Sequence, residues 1–421
     1  MINLQIPYGS SVLTCQLPEA SVLTSHIESF HPECSGAELV AQAMTAPLGT
    51  PPLETLASEA RTAVVLISDH TRPVPSQDIL PQMLAALRRG NPAISVTLLV
   101  ATGCHRGSTR EELISKLGRE IVEHEHILIH DAFNPSNHVE IGILPSGAPL
   151  VVDRTAVDTD LLIAEGFIEP HFFAGFSGGR KSVLPGICDR VTVLGNHCGA
   201  FIHSPYARTG ILEGNPIHQD MVAAAKMAKL RYIVNVVIND SHETVAAFAG
   251  DTEIAHSAGV AFLRHYCEVP AVPGDIVITS NGGAPLDQNL YQCVKSLTAA
   301  EATAKPGATF ILCGELADGV GGDSFYHSLR DCDNPSDLYD TYSVTPQSET
   351  IADQWQTQIL CRILRDHRVI VVTRPEMSQV IREMKMDYAP TLEAALQMAG
   401  EGSITAVPNG VSIIVKPEQE R

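Results

Sequence analysis

A glycine-rich stretch from Glu169 to Ile187 carries the residue types best suited to chemistry in this sequence. It reads EPHFFAGFSGGRKSVLPGI and combines His171 with two adjacent cations, Arg180 and Lys181. A lysine placed directly after a glycine bend can act as a counter-charge or as an amine for covalent attachment. We therefore expect the rest of the chain to supply partners to this stretch.

The bend around Gly178 and Gly179 could bind a phosphate, because glycines allow successive backbone N–H groups to turn toward one point. The stretch resembles a P-loop only superficially, since that pattern requires glycine where Arg180 stands. The alternative is a plain glycine turn with a solvated pair of cations, and the residues alone leave both interpretations open.

Three histidines lie beside glycine or proline rather than inside apolar helices: His105, His171 and His197. A lone histidine is usually structural, but three on loops at expected strand ends favour acid–base chemistry or metal binding. Their spacing matches no local zinc motif, so a three-histidine zinc site is possible but unspecific. Three further histidines nearby have no assigned role: His70, His203 and His218.

Other polar side chains could complete a site. Asp69 and Arg72 form either an ordinary turn or, through Arg72, a two-pronged contact with a carboxylate. Tyr291 and Lys295 lie four residues apart on one predicted helix, and a surface lysine is the alternative there. Trp355 is the single tryptophan, and it could belong to a core or to a pocket wall.

The elements that must position these residues follow an α/β rhythm. An apolar run from Thr62 to Ile67 predicts a buried strand that leads into the Asp69 loop, and SVTLLVA predicts a second strand before His105. Ligands of open α/β sheets bind at the carboxyl ends of strands, where these loops lie. The opening INLQIPYGSSVLTCQLP predicts a β-hairpin, and the Asn-Gly pair in ITAVPNGVSIIV predicts another near the C-terminus.

The fold class that we predict is α/β, with two α/β domains and an active-site cleft between them. A length of 421 residues exceeds one ordinary core, and EVPAVPGD is the best candidate linker. We expect an N-terminal cofactor-binding domain over residues 1–270 and a C-terminal α/β domain over 271–402. Whether the tail 403–421 returns to the first domain is left open.

Composition excludes several classes of function. A net charge of −20 without a basic stripe argues against binding nucleic acid. No apolar run is long enough to span a bilayer, and the ten cysteines include no C-x-x-C pair. We therefore expect a cytoplasmic, reduced protein that contacts neither nucleic acid nor membrane.

Several motifs together resemble the nickel-pincer lactate racemase family. They are SDHTRPVP, GCHR, EPHFFAGFSGGRKSVLPGI, GNH, GGAPLDQNLYQCVK and DQW, in that order along nearly the whole chain. The resemblance implies racemisation or epimerisation of a 2-hydroxy acid by reversible hydride transfer. It also implies nickel and a pyridinium-3-thioamide-5-thiocarboxylic acid mononucleotide, the nickel-pincer nucleotide, and transient contact with the enzymes that build it.

The resemblance assigns roles to residues of this chain. His105 and His171 match the catalytic acid and base, Lys181 matches the lysine that tethers the cofactor, and His197 matches the nickel ligand. Further expected cofactor contacts are Asp69, Arg72, Ser177, Gly178, Gly179, Arg180 and Lys295. Expected substrate contacts are Arg72, Tyr291, Gln292, Lys295 and Trp355.

Chemical reasoning agrees with hydride transfer. Removing the C2 hydrogen of a 2-hydroxy acid as a proton would place carbanion charge beside a carboxylate, whereas removing it as hydride needs an electron-poor acceptor that no side chain provides. A neutral histidine can take the hydroxyl proton. Two alternatives stay open: a zinc-dependent hydrolase that uses the same histidines, and a carrier of nickel or cofactor. The identity of the 2-hydroxy acid is open as well.

Overall fold

The computed structural model describes residues 2–416. The strands are β1 (Ile2–Tyr8), β2 (Ser11–Leu17), β3 (Ser21–Val22), β4 (Thr62–Ser68), β5 (Ser95–Ala101), β6 (His126–Ile129), β7 (His138–Ile143), β8 (Pro149–Asp153), β9 (Leu161–Phe167), β10 (Pro170–His171), β11 (Gly175–Phe176), β12 (Leu230–Ile238), β13 (Thr244–Gly250), β14 (Glu268–Pro270), β15 (Gly274–Ser280), β16 (Ala304–Cys313), β17 (Arg368–Val372), β18 (Asp387–Ala389), β19 (Ile404–Val407) and β20 (Ile414–Lys416).

The α-helices are α1 (Gly36–Thr45), α2 (Leu53–Ser58), α3 (Ser76–Gly90), α4 (Arg110–Leu117), α5 (Arg119–His124), α6 (Arg154–Val157), α7 (Arg190–Asn196), α8 (Gly199–His203), α9 (Pro216–Met227), α10 (Thr252–Cys267), α11 (Leu290–Glu301), α12 (Asp323–Asp331), α13 (Pro335–Val344), α14 (Gln354–Asp366), α15 (Ser378–Glu383) and α16 (Leu392–Ala399). Short 3-10 helices cover Pro135–Asn137, Gly179–Ser182, Gln347–Glu349 and Pro375–Met377.

The first sheet has the strand order β13-β12-β9-β4-β5-β6, and only β13 runs antiparallel to its neighbour. Its central strand β4 is buried along its middle, as expected of a strand with helices on both faces. The neighbours β9, β4 and β5 are parallel, so their carboxyl ends lie at one edge of the sheet. The loops with Asp69, His105 and His171 follow these three strands, as the sequence predicts.

The second sheet has the order β18-β17-β16-β15-β19-β3, with every neighbouring pair parallel. The β1–β2 hairpin forms as predicted. It packs on this second sheet, where Leu4 and Ile6 share an apolar cluster with Ile276 and Ile278. Both sheets with their helices confirm the predicted α/β class.

The predicted C-terminal hairpin is wrong. Strand β19 pairs in parallel with β15 and β3, whereas β20 pairs in parallel with β14. The two strands therefore diverge after the Asn409-Gly410 turn instead of pairing with each other. The boundary near residue 270 stays a prediction. The strand pairing adds that β3 (21–22) and β19 (404–407) belong to the second sheet, and the last part of the tail, 417–421, lies outside the described residues.

Two helices that follow loops of the candidate site begin with side-chain caps. Thr109 caps α4 with a capping box completed by Glu112, and Asn289 caps α11 by accepting from the backbone N–H of Gln292. These caps fix where each helix starts relative to the preceding loop. In the described range 2–416, no helix has both the length and the apolar character needed to cross a bilayer.

Candidate active site

A cleft with a cavity of ≈ 560 Å³ lies between segments of the two sheets. The first sheet contributes the loops after β4, β5 and β9, and the second contributes residues between 281 and 295. Five predicted site residues line the cavity. Three come from loops of the first sheet and two from α11: Arg72, His105, His171, Gln292 and Lys295. The predicted cleft between two α/β units is therefore present.

Asp69 and His105 form a tight pair at the edge of the first sheet. Asp69 Oδ2 lies 2.6 Å from His105 Nδ1, while Thr71 donates its hydroxyl and its N–H to Asp69 Oδ1. Burial alone would raise the pKa of Asp69, but the hydrogen bond with His105 and the charges of His105 and Arg72 outweigh burial and lower it well below its usual value. Because this carboxylate stays ionised, it accepts from Nδ1–H and leaves Nε2 of a neutral His105 free to accept a proton.

His171 and Lys181 are also in contact. Lys181 Nζ lies 3.3 Å from His171 Nε2, and the backbone N–H of Ala174 donates to His171 Nδ1 at 3.2 Å. A neutral ring that accepts at Nδ1 carries its proton on Nε2, so the lysine nitrogen must be the acceptor in this contact. Burial, followed by the charges of Arg180, Arg72 and Lys295, lowers the pKa of Lys181 well below its usual value. A lowered pKa favours the free-amine form of this lysine, and that form is a nucleophile.

His197 has one ring nitrogen committed and one available. Its Nδ1 donates to the carbonyl of Val193 at 3.0 Å, one helical turn earlier, which leaves Nε2 without a proton. The ring is buried between Phe173 and Trp355, with centroid distances of 5.1 and 5.0 Å. Burial, then the charge of Lys181, lowers the pKa of His197 to about 3. An oriented, neutral imidazole of this kind is suited to bind a metal ion.

Positively charged side chains from both units line the cleft, Arg72 from the loop after β4 and Lys295 from α11. Burial, followed by the charge of Arg72, lowers the pKa of Lys295 to about 8. Lys116 supports the Arg72 loop from behind by donating to the backbone carbonyl of Arg72 at 3.0 Å. Arg72 and Lys295 can together bind a carboxylate of a substrate.

Glu169 is a cleft residue that the sequence analysis did not select. It lines the cavity, and burial raises its pKa although Lys295, Arg72 and Lys181 act in the opposite direction. Its side chain has no hydrogen-bond partner within the described part of the chain. Its position in the sequence could have indicated a place in the site, because Glu169 begins the glycine-rich stretch just beyond the end of β9.

Tyr291 and Trp355 do not line the cavity; they stand behind His197. Trp355 Nε1–H donates to the hydroxyl of Tyr291 at 2.9 Å, and the indole contacts the His197 ring edge-on. Gln356 donates to the backbone carbonyl of Tyr291. These contacts hold the His197 ring, which itself lies outside the lining of the cavity, and direct contact of either aromatic residue with substrate stays a prediction.

Backbone N–H groups of the glycine bend donate hydrogen bonds to other groups of the protein. The N–H of Ser177 donates to the Glu169 carbonyl, that of Gly179 to Asn235 Oδ1 at 2.7 Å, and that of Lys181 to the Gly178 carbonyl. These three N–H groups are therefore already engaged within the protein, which favours the plain glycine turn, and contact of Ser177, Gly178 and Gly179 with a cofactor stays a prediction. Gly178, with φ +78°, is required for a different reason: a Cβ there would lie 2.9 Å from the Phe167 carbonyl oxygen.

Arg180 points away from the cleft. Its guanidinium donates to the carbonyls of Ala174, Ser177 and Gly178 and to a ring nitrogen of His218, and it lines a second cavity. Contact of Arg180 with a cofactor in the cleft has no support from this arrangement. Among the histidines without a predicted role, His70 lines the cleft and bonds Ser108, whereas His203 bonds Tyr339.

Comparison with known proteins settles the family. The model of the lactate racemase N-terminal domain matches residues 8–210, and that of the lactate racemase C-terminal domain matches residues 269–415. Lactate racemase from Thermoanaerobacterium thermosaccharolyticum is 47% identical over 99% of this chain and 100% of its own length, and that from Lactiplantibacillus plantarum is 46% identical with the same coverage. The chain belongs to the lactate racemase family. It is therefore an isomerase, as the resemblance implied.

Solved structures agree with membership in the lactate racemase family. The lactate racemase apoprotein from Thermoanaerobacterium thermosaccharolyticum superposes with a TM-score of 0.95 at 47% identity, over 99% of this chain and 100% of that one. A Thermotoga maritima protein matches with a TM-score of 0.66 at 19% identity, over 87% of this chain and 98% of that one, which shows a shared fold alone.

Proposed function

We propose that this protein interconverts the two enantiomers of lactate, or of a closely similar 2-hydroxy acid, in the cleft. The observation that carries the proposal is that two histidines, His105 and His171, line the same cavity as the cations Arg72 and Lys295. Full-length similarity to two lactate racemases supports lactate as the first substrate to test. The cytoplasm is the compartment that we propose, and the ten free cysteines support it.

Arg72 and Lys295 hold the carboxylate of the substrate in this proposal. A guanidinium from the first unit and an ammonium from the second can bind the two oxygens of a planar carboxylate and so fix the position of C2 and its hydroxyl. Gln292 lies on the same helix as Lys295 and lines the cavity one turn earlier, where its amide can bond the hydroxyl oxygen.

His105 and His171 take and return the hydroxyl proton. The Asp69 carboxylate orients His105 through Nδ1 and stabilises the imidazolium that forms when Nε2 accepts a proton. Burial, then the charges of Lys181 and Lys295, lowers the pKa of His171 well below its usual value, which keeps the ring neutral. Its Nε2 can accept the hydroxyl proton once the ring proton has moved to Nδ1, which ends the hydrogen bond from the Ala174 N–H. Two such groups suit a reaction whose substrates are mirror images.

The residues present fit the nickel-pincer nucleotide that the family resemblance implies. Lys181 offers a free amine for a covalent tether, and His197 offers an unprotonated Nε2 for nickel. When bound, the group would supply an electron-poor centre that accepts the C2 hydrogen as hydride and gives it back. The chain then holds that group, positions the substrate and moves the hydroxyl proton, and the enzymes that build the cofactor would contact it transiently.

The two alternatives lose their support. Within residues 2–416 no group of three or more His, Cys, Asp or Glu side chains is arranged to hold a metal ion, so a zinc hydrolase would lack its ligand set. A pure carrier would not need substrate-binding groups, yet Arg72, Gln292 and Lys295 line one cavity.

The test compares protein made with and without the genes for cofactor synthesis. We expect racemisation of L-lactate only in the loaded preparation, together with a mass increment on the peptide that contains Lys181. Lys181→Ala should lose both, while Lys305→Ala, which removes a surface lysine paired with Asp275, should keep both. Full racemase activity in Lys181→Ala would refute the tether, and a loaded protein inactive on all enantiopure 2-hydroxy acids would refute the proposed reaction.

A further inference from the structure

The second cavity, called here the rear cavity, has a volume of ≈ 350 Å³ and takes no part in the proposed reaction. Among its lining residues, Arg180 and His256 are buried titratable groups, and His218 lies beside them. Arg180 and Lys181 are neighbours in the Gly179–Ser182 turn but leave it in different directions. Lys181 contacts His171, which lines the cleft, whereas Arg180 lines the rear cavity.

Arg180 is a buried positive charge without a counter-ion in the described part of the chain. It is 2% exposed, and all its hydrogen bonds go to neutral groups, namely three backbone carbonyls and two imidazoles. Burial lowers its pKa to about 9, and no carboxylate contributes in the opposite direction. A buried charge of this kind is costly unless an opposite charge accompanies it.

The groups around Arg180 add donors and further positive charge. The Nδ1 atom of His218 accepts a hydrogen bond from Arg180 Nε–H, so a neutral His218 ring carries its proton on Nε2. No protein group in residues 2–416 accepts a hydrogen bond from that Nε2–H. At the exposed rim stand Lys229 and Arg231, which take part in no ion pair within the described residues. Lys229 also has a left-handed backbone, φ +58°, which is uncommon for a residue with a side chain.

The acidic side chains of the rear cavity are already engaged. Glu253 pairs with Lys226 at 2.8 Å, and Asp251 caps α10 by accepting from the N–H groups of Glu253 and Ile254. Neither carboxylate contacts Arg180. The balance of unpaired groups is therefore positive, with Arg180 inside and two cations at the rim.

We propose that the rear cavity binds a small phosphate-type oxyanion, with Arg180 as its buried counter-charge and Lys229 and Arg231 at its rim. A doubly charged phosphate matches three unpaired cations better than a monocarboxylate does. The apolar wall of Leu212, Val222 and Leu230 leaves room for an organic group attached to the phosphate.

The experiment measures phosphate binding to the full-length, cofactor-loaded protein by calorimetry at constant ionic strength, with saturating L-lactate present. We expect one equivalent of inorganic phosphate to bind, and acetate to bind at least about tenfold more weakly. The double variant Lys229→Ala/Arg231→Ala should weaken phosphate binding by about tenfold or more with racemase activity unchanged. Arg119→Ala, which removes an exposed cation paired with Glu123, is the matched control and should bind normally.

Each contrary outcome overturns the proposal. Absence of phosphate binding would do so, as would binding that the double variant leaves intact. Binding that lactate displaces, or that Arg72→Ala abolishes, would assign the phosphate to the cleft instead. Phosphate binding to Arg72→Ala is measured without turnover of a substrate. The measurement therefore tests the rear cavity even if the protein acts on another 2-hydroxy acid.

Discussion

Replacing Asp69 with asparagine removes the charge behind His105 while keeping the shape of the side chain. The pair is joined by a 2.6 Å hydrogen bond; Asp69 is only 2% exposed, whereas the His105 side chain is 42% exposed, so solvent screens the pair in part. Hydrogen bonds to charged groups contribute about 1.5–3 kcal/mol. If this stabilisation is realised when His105 takes the proton, about 1.5–3 kcal/mol corresponds to a loss of roughly 10- to 150-fold in kcat/KM.

The assay follows racemisation from each enantiomer of lactate separately by chiral chromatography on loaded enzyme. Since the equilibrium constant of a racemisation is one, kcat/KM must fall by the same factor in both directions, even if His105 serves one enantiomer. Asp153→Asn is the matched control, because Asp153 is a buried carboxylate that contacts His130 Nδ1 at 3.2 Å and does not line the cleft. It should lower the melting temperature and leave kcat/KM of the folded enzyme unchanged. An Asp69→Asn enzyme within about threefold of the parent would refute the assigned role of the pair.

Three further outcomes follow from the same site. Arg72→Ala should raise KM for lactate by roughly 30- to 150-fold, because the substrate loses about 2–3 kcal/mol of hydrogen bonding to a charged group. An unchanged KM in steady-state kinetics would contradict binding of the carboxylate by Arg72. The folded pKa of Asp69 lies below its ordinary 3.8, so the unfolded chain binds more protons in acid and the contribution of Asp69 to stability is lost as pH falls below about that value. Denaturant unfolding at a series of acidic pH values should show a shallower decline in Asp69→Asn than in the parent, and parallel curves would contradict the shift. His197→Ala should release nickel from loaded protein on gel filtration, whereas His105→Ala should retain it, and equal retention in metal analysis would remove the ligand assignment.

The meeting of Asp69 with His105 could be predicted because it depends on one local rule. Each residue follows an apolar run that is recognisable as a buried strand, and parallel strands bring their carboxyl ends to one edge of a sheet. The 2.6 Å contact between them is the direct consequence of β4 and β5 being neighbours. The place of Lys295 in the cleft followed from the family resemblance and not from helical spacing, since Tyr291 lies four residues earlier on α11 and yet only Lys295 of the two lines the cavity.

Other features depend on partners that are distant in sequence. The Asn409-Gly410 turn has a hairpin signature, yet its flanking strands pair with β15 and β14, more than a hundred residues away. The glycine bend before Arg180 allows its side chain to point either into the cleft or away from it. The carbonyls and histidines that fix the orientation of the side chain come from three separate segments of the chain. The role of Glu169 could be recognised only once the cleft was known, because the cations that act on its carboxylate, Lys295, Arg72 and Lys181, come from three separate segments.

The β1–β2 hairpin bears on any attempt to separate the two halves of the chain. A fragment beginning near residue 271 would lack Leu4 and Ile6, and the apolar face of Ile276 and Ile278 would meet water. Such a fragment should aggregate, whereas joining the segment 2–22 to the C-terminal half through a linker should restore its solubility. Protein engineers who wish to recombine halves of this enzyme would therefore have to move the first strands together with the last ones.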